Sequence, residues 1–164
     1  MPVEGLRPGQ PLALLSSRVR PDQTNAQGHL RAAQYIAVFD DAIEVFFPLT
    51  GLADAQLRHG DASPFLMDMH TCYLAELRAG DEVSVVMQHL GHDARRARLI
   101  LTMLGPAGTP AATTELLLIN MGLSSRRPVA WSATQQALWS ELAAAHASLA
   151  VPAQAGRAIG AIGG

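Results

Sequence analysis

The fold class the sequence predicts is α+β: one antiparallel sheet curled around a single long helix. Three observations predict it. A strand-like run is followed by one long stretch with an apolar stripe and then by four more strand-like runs joined by tight turns. The stripe is broad enough to be wrapped by a sheet rather than laid on a surface. No internal repeat or composition shift marks a linker, so residues 1–164 read as a single domain with few compact arrangements open to it.

The elements follow in order. Residues 1–11 hold Pro2, Pro8 and Pro11 with Gly5 and Gly9, an irregular lead-in. Leu12 to Arg20 reads as a strand ended by Pro21-Asp22, and a polar loop from Gln23 to His29 follows. From Leu30 to Phe47 the residues Tyr35, Phe39, Ala42 and Phe46 recur at helical spacing, thickened by Ile36, Ile43 and Phe47. The helix is expected to stop before Pro48 and Gly51. Strands are expected at about Pro64–Leu74, Glu82–Leu90, Ala94–Gly105 and Ala111–Gly122. They are turned at Ala79-Gly80-Asp81, Gly91-His92-Asp93 and Gly105-Pro106-Ala107-Gly108. Ser132 to Leu149 has a Ser cap signal and Leu138, Leu142, Ala145 and Leu149 in helical register, a terminal helix expected to cover an outer edge. The Ala- and Gly-rich tail from Val151 to Gly164 reads as loosely ordered.

Bulk composition excludes several classes. With 49% apolar and 16% charged residues, the chain is expected to cover apolar surface with another copy of itself. A net charge of −2 with scattered basic side chains argues against nucleic acid. The N-terminus has neither a basic nor an apolar signal region, and no apolar run is long enough for a membrane span, so a cytoplasmic protein is expected. The lone Cys72 fits a reducing compartment and reads as a small core residue rather than a nucleophile.

Asn25-Ala26-Gln27-Gly28-His29, followed by Tyr35, Phe39 and Ala42, resembles the Asp-x-x-Gly-His … Tyr … Phe … Ala signature of hotdog-fold acyl-CoA thioesterases related to 4-hydroxybenzoyl-CoA thioesterase. The stretch Tyr73-Leu74-Ala75-Glu76-Leu77-Arg78-Ala79-Gly80-Asp81-Glu82 is similar to that family's strand-turn-strand segment, and the likeness covers roughly residues 12–122. The helix containing His146 and the ending Gly156-Arg157-Ala158-Ile159-Gly160 resemble the branch tied to carnitine and betaine catabolism. The resemblance implies a hotdog fold, hydrolysis of an acyl-CoA thioester and a homodimer or homotetramer with the CoA channel between subunits. It implies no resident cofactor, CoA entering as part of the substrate.

The residues make a physical case beside the resemblance. A helix entered at Gly28-His29 would aim backbone N–H groups and the positive end of its dipole at the preceding loop, where a thioester carbonyl becoming negative would be stabilised. Gly28 would admit the substrate to the backbone, with Thr24 beside it. Asn25 departs from the family, which usually carries Asp there; Asn takes no proton as a base and is left to hold a water or the carbonyl. The base is then His29 or Asp68. By strand alternation Leu66, Asp68 and His70 share a face, and the branch likeness also points to a carboxylate at position 68. Tyr35, Phe39, Met67 and His70 complete the expected substrate pocket, with Ile36, Ile43 and Met69 adding apolar surface. Arg95 and Arg96 are candidates for the CoA phosphates or for a solvated hairpin end. His89 and His92 are expected on opposite faces or around a corner, which argues against a metal. Two rivals remain, a hotdog protein that binds a thioester without cleaving it and a dehydratase acting on hydroxyacyl thioesters.

Overall fold

The computed structural model describes residues 3–49 and 61–160, with side chains as far as Pro48 in the first of these segments. Five strands, β1 (Leu12–Arg18), β2 (Ala62–Tyr73), β3 (Glu82–His92), β4 (Arg96–Leu104) and β5 (Pro110–Gly122), form one sheet in the order β1-β3-β4-β5-β2. Every neighbouring pair is antiparallel. Helices α1 (Ala32–Leu49) and α2 (Ala133–His146) complete the domain. The expected α+β class and the wrapped helix are what is observed.

The apolar stripe read from the sequence is the buried face of α1: Tyr35, Phe39, Ala42 and Phe46 are all sealed from solvent. They join Leu12, Val85, Met87, Leu99, Leu101, Leu116 and Leu118 in one hydrophobic core. The space between α1 and the sheet, lined by Leu14, Ile43, Phe46, Met87, Leu99, Leu101, Leu116 and Leu118, is too narrow to admit water. Each of these large side chains contributes about 1.5–3 kcal/mol through burial, and none of them lines an open channel.

Helix α1 departs from its expected bounds at both ends. It starts at Ala32 because Leu30 is held extended, its N–H donating to the Leu77 carbonyl at 2.7 Å beside a bridge between Thr24 and Leu30. It runs through Pro48 in its last turn, where the proline gives up one backbone N–H bond to the turn before it. The expected stop at Gly51 lies outside the described residues.

Two bulges reset faces that simple alternation assigns. In β2, Leu66 pairs with Leu118 and Asp68 with Leu117, so the extra Met67 moves Leu66 to the face opposite Asp68 and His70. In β3 the register shifts between His89 and Gly91, which brings His92 round to the side of His89: their nearest ring nitrogens are 3.0 Å apart. Among the described residues no group of three or more metal-ligating side chains is assembled.

Ser132 caps α2, accepting from the Gln135 N–H at 3.3 Å while the Gln135 side chain accepts from the Ser132 N–H at 2.9 Å. The helix does not cover an edge as expected. Trp139 wedges its ring against Phe46 of α1, His89 of the interior strand β3 and Trp131. The tail touches the sheet at Gly156, whose N–H donates to Glu115 at 2.6 Å, while Ile159 beyond it is exposed. No helix among the described residues is long and apolar enough to cross a membrane.

Candidate active site

Asn25 organises its loop from within. Its backbone N–H donates to the His29 carbonyl and its own carbonyl accepts from Gly28 N–H, both at 2.9 Å. Its side-chain oxygen accepts from the N–H groups of Gln27 and His29, each at 3.0 Å. Asparagine in a loop competes for nearby backbone donors in this way. The N–H groups of Gly28 and His29, expected from the sequence to meet a substrate carbonyl, are therefore engaged within the loop itself. Gly28 is needed for the turn itself, with φ at +78°. Thr24 spends its hydroxyl on the Pro21 carbonyl at 2.7 Å.

Free backbone donors of a helix start lie three residues after His29. Ala32 and Ala33 open α1, and the N–H groups of a first turn have no partner within their own helix. Ala32 lines a cleft of about 400 Å³ with His29, Leu30, Tyr35, Tyr73, Leu74, Ala75 and Glu76. The His29 Nε2 is 3.5 Å from the Glu76 carboxylate, with His29 mostly shielded and Glu76 largely exposed. Arg78 stands 4.0 Å from the same carboxylate.

Tyr35 builds the cleft wall. Its buried hydroxyl donates to the Ala75 carbonyl and accepts from the Leu77 N–H, both at 3.1 Å, which fixes the segment carrying Glu76 against α1. Burial pushes the Tyr35 hydroxyl pKa up, ahead of the opposing hydrogen bond from Leu77. The Tyr73 ring packs perpendicular to that of Tyr35, and its hydroxyl donates to the Ala32 carbonyl at 3.4 Å.

Other expected site residues lie elsewhere. Phe39 is sealed in the core, while Met67 is 60% exposed at the β2 bulge, so the two cannot line one pocket within this chain. Asp68 and His70 face outward with Glu115 and Arg98 around a separate recess that the tail borders through Gly156 and Arg157. Burial there raises the pKa of Glu115, but the Arg98 guanidinium and the Gly156 N–H outweigh it and hold the carboxyl below its usual value. Arg96 is clamped on Asp93 at 2.6 and 2.8 Å, and the clamp, with the Arg95 N–H, brings Asp93 down to about 2. The row Arg96–Ile119–Phe65 is eight residues from Tyr73 along β2, about 26 Å at the usual rise per strand residue. Neither Arg95 nor Arg96 reaches the cleft of its own chain.

The family model of the thioesterase-like superfamily matches residues 19–139. The chain belongs to that superfamily. It is 33% identical over 153 residues to the betainyl-CoA thioesterase of Pseudomonas aeruginosa, covering 92% of this chain and 96% of the relative. It is 32% identical over 120 residues to the L-carnitine dehydrogenase/betainyl-CoA thioesterase of Agrobacterium fabrum, where the match takes in 73% of this chain but only 25% of that longer protein. Among solved structures, Staphylococcus aureus SAV2348 in complex with CoA superimposes with a TM-score of 0.84 at 24% identity, over 93% of this chain and 97% of that one. That likeness shows the shared hotdog fold. Hydrolysis of an acyl-CoA thioester, the activity expected from the sequence, is the reaction these relatives support.

In this thioesterase the resemblance contained the cleft without resolving it. Glu76 and Tyr73 lie within the strand-turn-strand segment that carries the likeness, yet no role attached to either. The signal that would have found them is adjacency: the bridge between His29 and Arg78 sets that segment beside the Asn25 loop. It is a pairing that sequence separation hides.

Proposed function

We propose that this thioesterase cleaves a short acyl-CoA bearing a quaternary ammonium, with betainyl-CoA as the model substrate, in the cleft at the start of α1. The observation that carries the reading is the His29–Glu76 pair at 3.5 Å beside the first turn of that helix. The thioester carbonyl points at the N–H groups of Ala32 and Ala33, where the helix dipole favours the developing negative oxygen. His29 takes a proton from the attacking water, and Glu76 orients the imidazole and stabilises its cationic form. The new C–O bond forms, the C–S bond breaks, and the proton held on His29 passes to the departing CoA sulfur. The products are the free acid and CoA. The step uses water and these side chains, so no resident cofactor is required. Asp68, on the outer face with His70, takes no part in the cleft of its own chain.

The acyl assignment leans on what the relatives are named for, together with a cleft that ends on tyrosines rather than opening into the core. We also propose that β2 pairs with β2 of a second copy, in a dimer or in a tetramer of two such dimers. Phe65, Leu66 and Met67 leave apolar surface on that edge strand, the kind of edge that a partner strand or a charged guard normally protects. A two-fold pairing reverses the strand direction, so the partner's Arg95 turn approaches this cleft and supplies the cationic end of the CoA channel. The free thiol of Cys72 suits a cytoplasmic setting.

The test is a free-thiol release assay over a panel of acyl-CoAs, betainyl-CoA included, with sedimentation to establish the oligomer. Turnover of betainyl-CoA that His29→Ala abolishes supports the reading. A folded, dimeric protein that releases no thiol from any member of the panel overturns it in favour of ligand binding without catalysis.

A further inference from the structure

We infer that Tyr73 and Glu76 form the selectivity box for the cationic acyl group, an aromatic face and a carboxylate set beside the helix start. The inference rests on the function proposed above and names the residues that would give it its specificity. A trimethylammonium group has no N–H to donate. It is held instead by the negative faces of aromatic rings and by carboxylates acting through space. Among the residues lining the cleft, Glu76 alone carries a carboxylate, and the tyrosines are its aromatic rings.

The box is held in place before any substrate arrives. The Tyr35 and Tyr73 rings stand 5.3 Å apart at 89°, making a corner in which Tyr35 is buried and Tyr73 is 51% exposed. The Tyr73 hydroxyl is anchored on the Ala32 carbonyl, and the Tyr35 hydroxyl grips the backbone on both sides of Glu76. A half-open aromatic ring packed on a neighbouring ring and anchored through its hydroxyl presents a fixed surface.

Electrostatics make the carboxylate necessary. In a betainyl thioester one methylene separates the ammonium from the carbonyl carbon. A carbonyl docked on the first turn of α1 therefore brings the cation into the positive end of the same helix dipole, where a positive charge is disfavoured. Glu76 lies on this side of the cleft and offsets that field. The competing cations are His29 at 3.5 Å and Arg78 at 4.0 Å. Arg78 is largely exposed, so solvent screens its pairing with Glu76. The same carboxylate thus serves two cations, the imidazolium formed during turnover and the substrate headgroup.

The decisive comparison uses a neutral copy of the substrate. 3,3-Dimethylbutanoyl-CoA has carbon in place of nitrogen and nearly the same shape. The readout is the ratio of kcat/KM for betainyl-CoA to that for the neutral copy, in which any common loss of catalysis cancels. The wild type is expected to favour the cation roughly tenfold or more, the scale of one well-placed cation–π contact. Tyr73→Leu and Glu76→Gln should each collapse that ratio towards one, while Tyr73→Phe, which keeps the ring, should preserve it. Glu76→Gln will also slow both substrates by loosening His29, which leaves the ratio as the informative quantity. A wild type that cleaves both compounds equally well overturns the box and leaves the thioesterase assignment standing. An unchanged ratio in both Tyr73→Leu and Glu76→Gln overturns it too. A wild type that cleaves neither compound brings down the proposed substrate and the box together, whereas turnover of other acyl-CoAs in the same assay would keep the reaction class.

Discussion

Two histidines, one near each end of α1, stand in opposite surroundings. Near its start, His29 has a carboxylate 3.5 Å away and lines an open cleft. Near its end, where Phe46 meets Trp139, His89 is 7% exposed, stacked on the Trp139 ring and 3.0 Å from His92. Its backbone N–H donates to the Nδ1 of His146 at 2.9 Å. Burial first, then the neighbouring His92 and His146, pushes His89 down to about 4, and burial likewise lowers His146. One imidazole has a counter-charge and access to a substrate. The other has neither, and stays neutral as part of the α2 docking surface. Position in the fold, rather than residue type, separates the imidazole proposed to carry a proton from one that packs as a strut.

That contrast can be broken at its strongest point first. His29→Ala should lower kcat by roughly 10²- to 10⁴-fold with little change in melting temperature, while His89→Ala should do the reverse, as thiol release and thermal unfolding would report together. Comparable loss of turnover in both would erase the distinction. Trp139→Ala removes the ring shared by α1, α2 and β3 and should cost about 3–5 kcal/mol in urea unfolding.

Acid sharpens the difference. The depressed value of His89 means that its contribution is present above the unfolded value near 6.5 and is lost as pH falls through about 4. Stability should fall by about 2–3 kcal/mol across that window, and urea titrations of the wild type against His89→Gln between pH 7.5 and 4.5 isolate this share from that of the paired carboxylates. A variant with the wild-type slope would show that His89 is not the group responsible.

Smaller effects are expected in the cleft walls. Tyr35→Phe leaves the Leu77 N–H without its acceptor and should cost about 1–3 kcal/mol, raising KM as the Glu76 segment loosens. Asn25→Ala removes the acceptor for two backbone donors and should destabilise by about 1–2 kcal/mol. Asn25→Asp retains both acceptances and should fold as well as the wild type. A large gain in turnover from Asn25→Asp would mean that this position faces the substrate after all.

What the sequence by itself determined was whatever periodicity and turn chemistry encode locally. The spacing of Tyr35, Phe39, Ala42 and Phe46 specified the buried face of α1, Ser132 and Gln135 specified the start of α2, and the Gly-containing turns specified the strand order in the chain. The Asn25–His29 motif ends at a residue that lines the cleft beside the start of α1. What only the tertiary structure decided were the features that depend on pairing between distant segments. The single extra residues at Met67 and Leu90 each reverse a face, because a strand alternates with a period of two and one insertion inverts everything beyond it. That the Gly28 and His29 N–H groups are engaged within the Asn25 loop was likewise visible only in the folded chain. Glu76 became the partner of His29 only because the segment after β2 folds back onto the mouth of α1, a contact between residues 47 positions apart that no local pattern records.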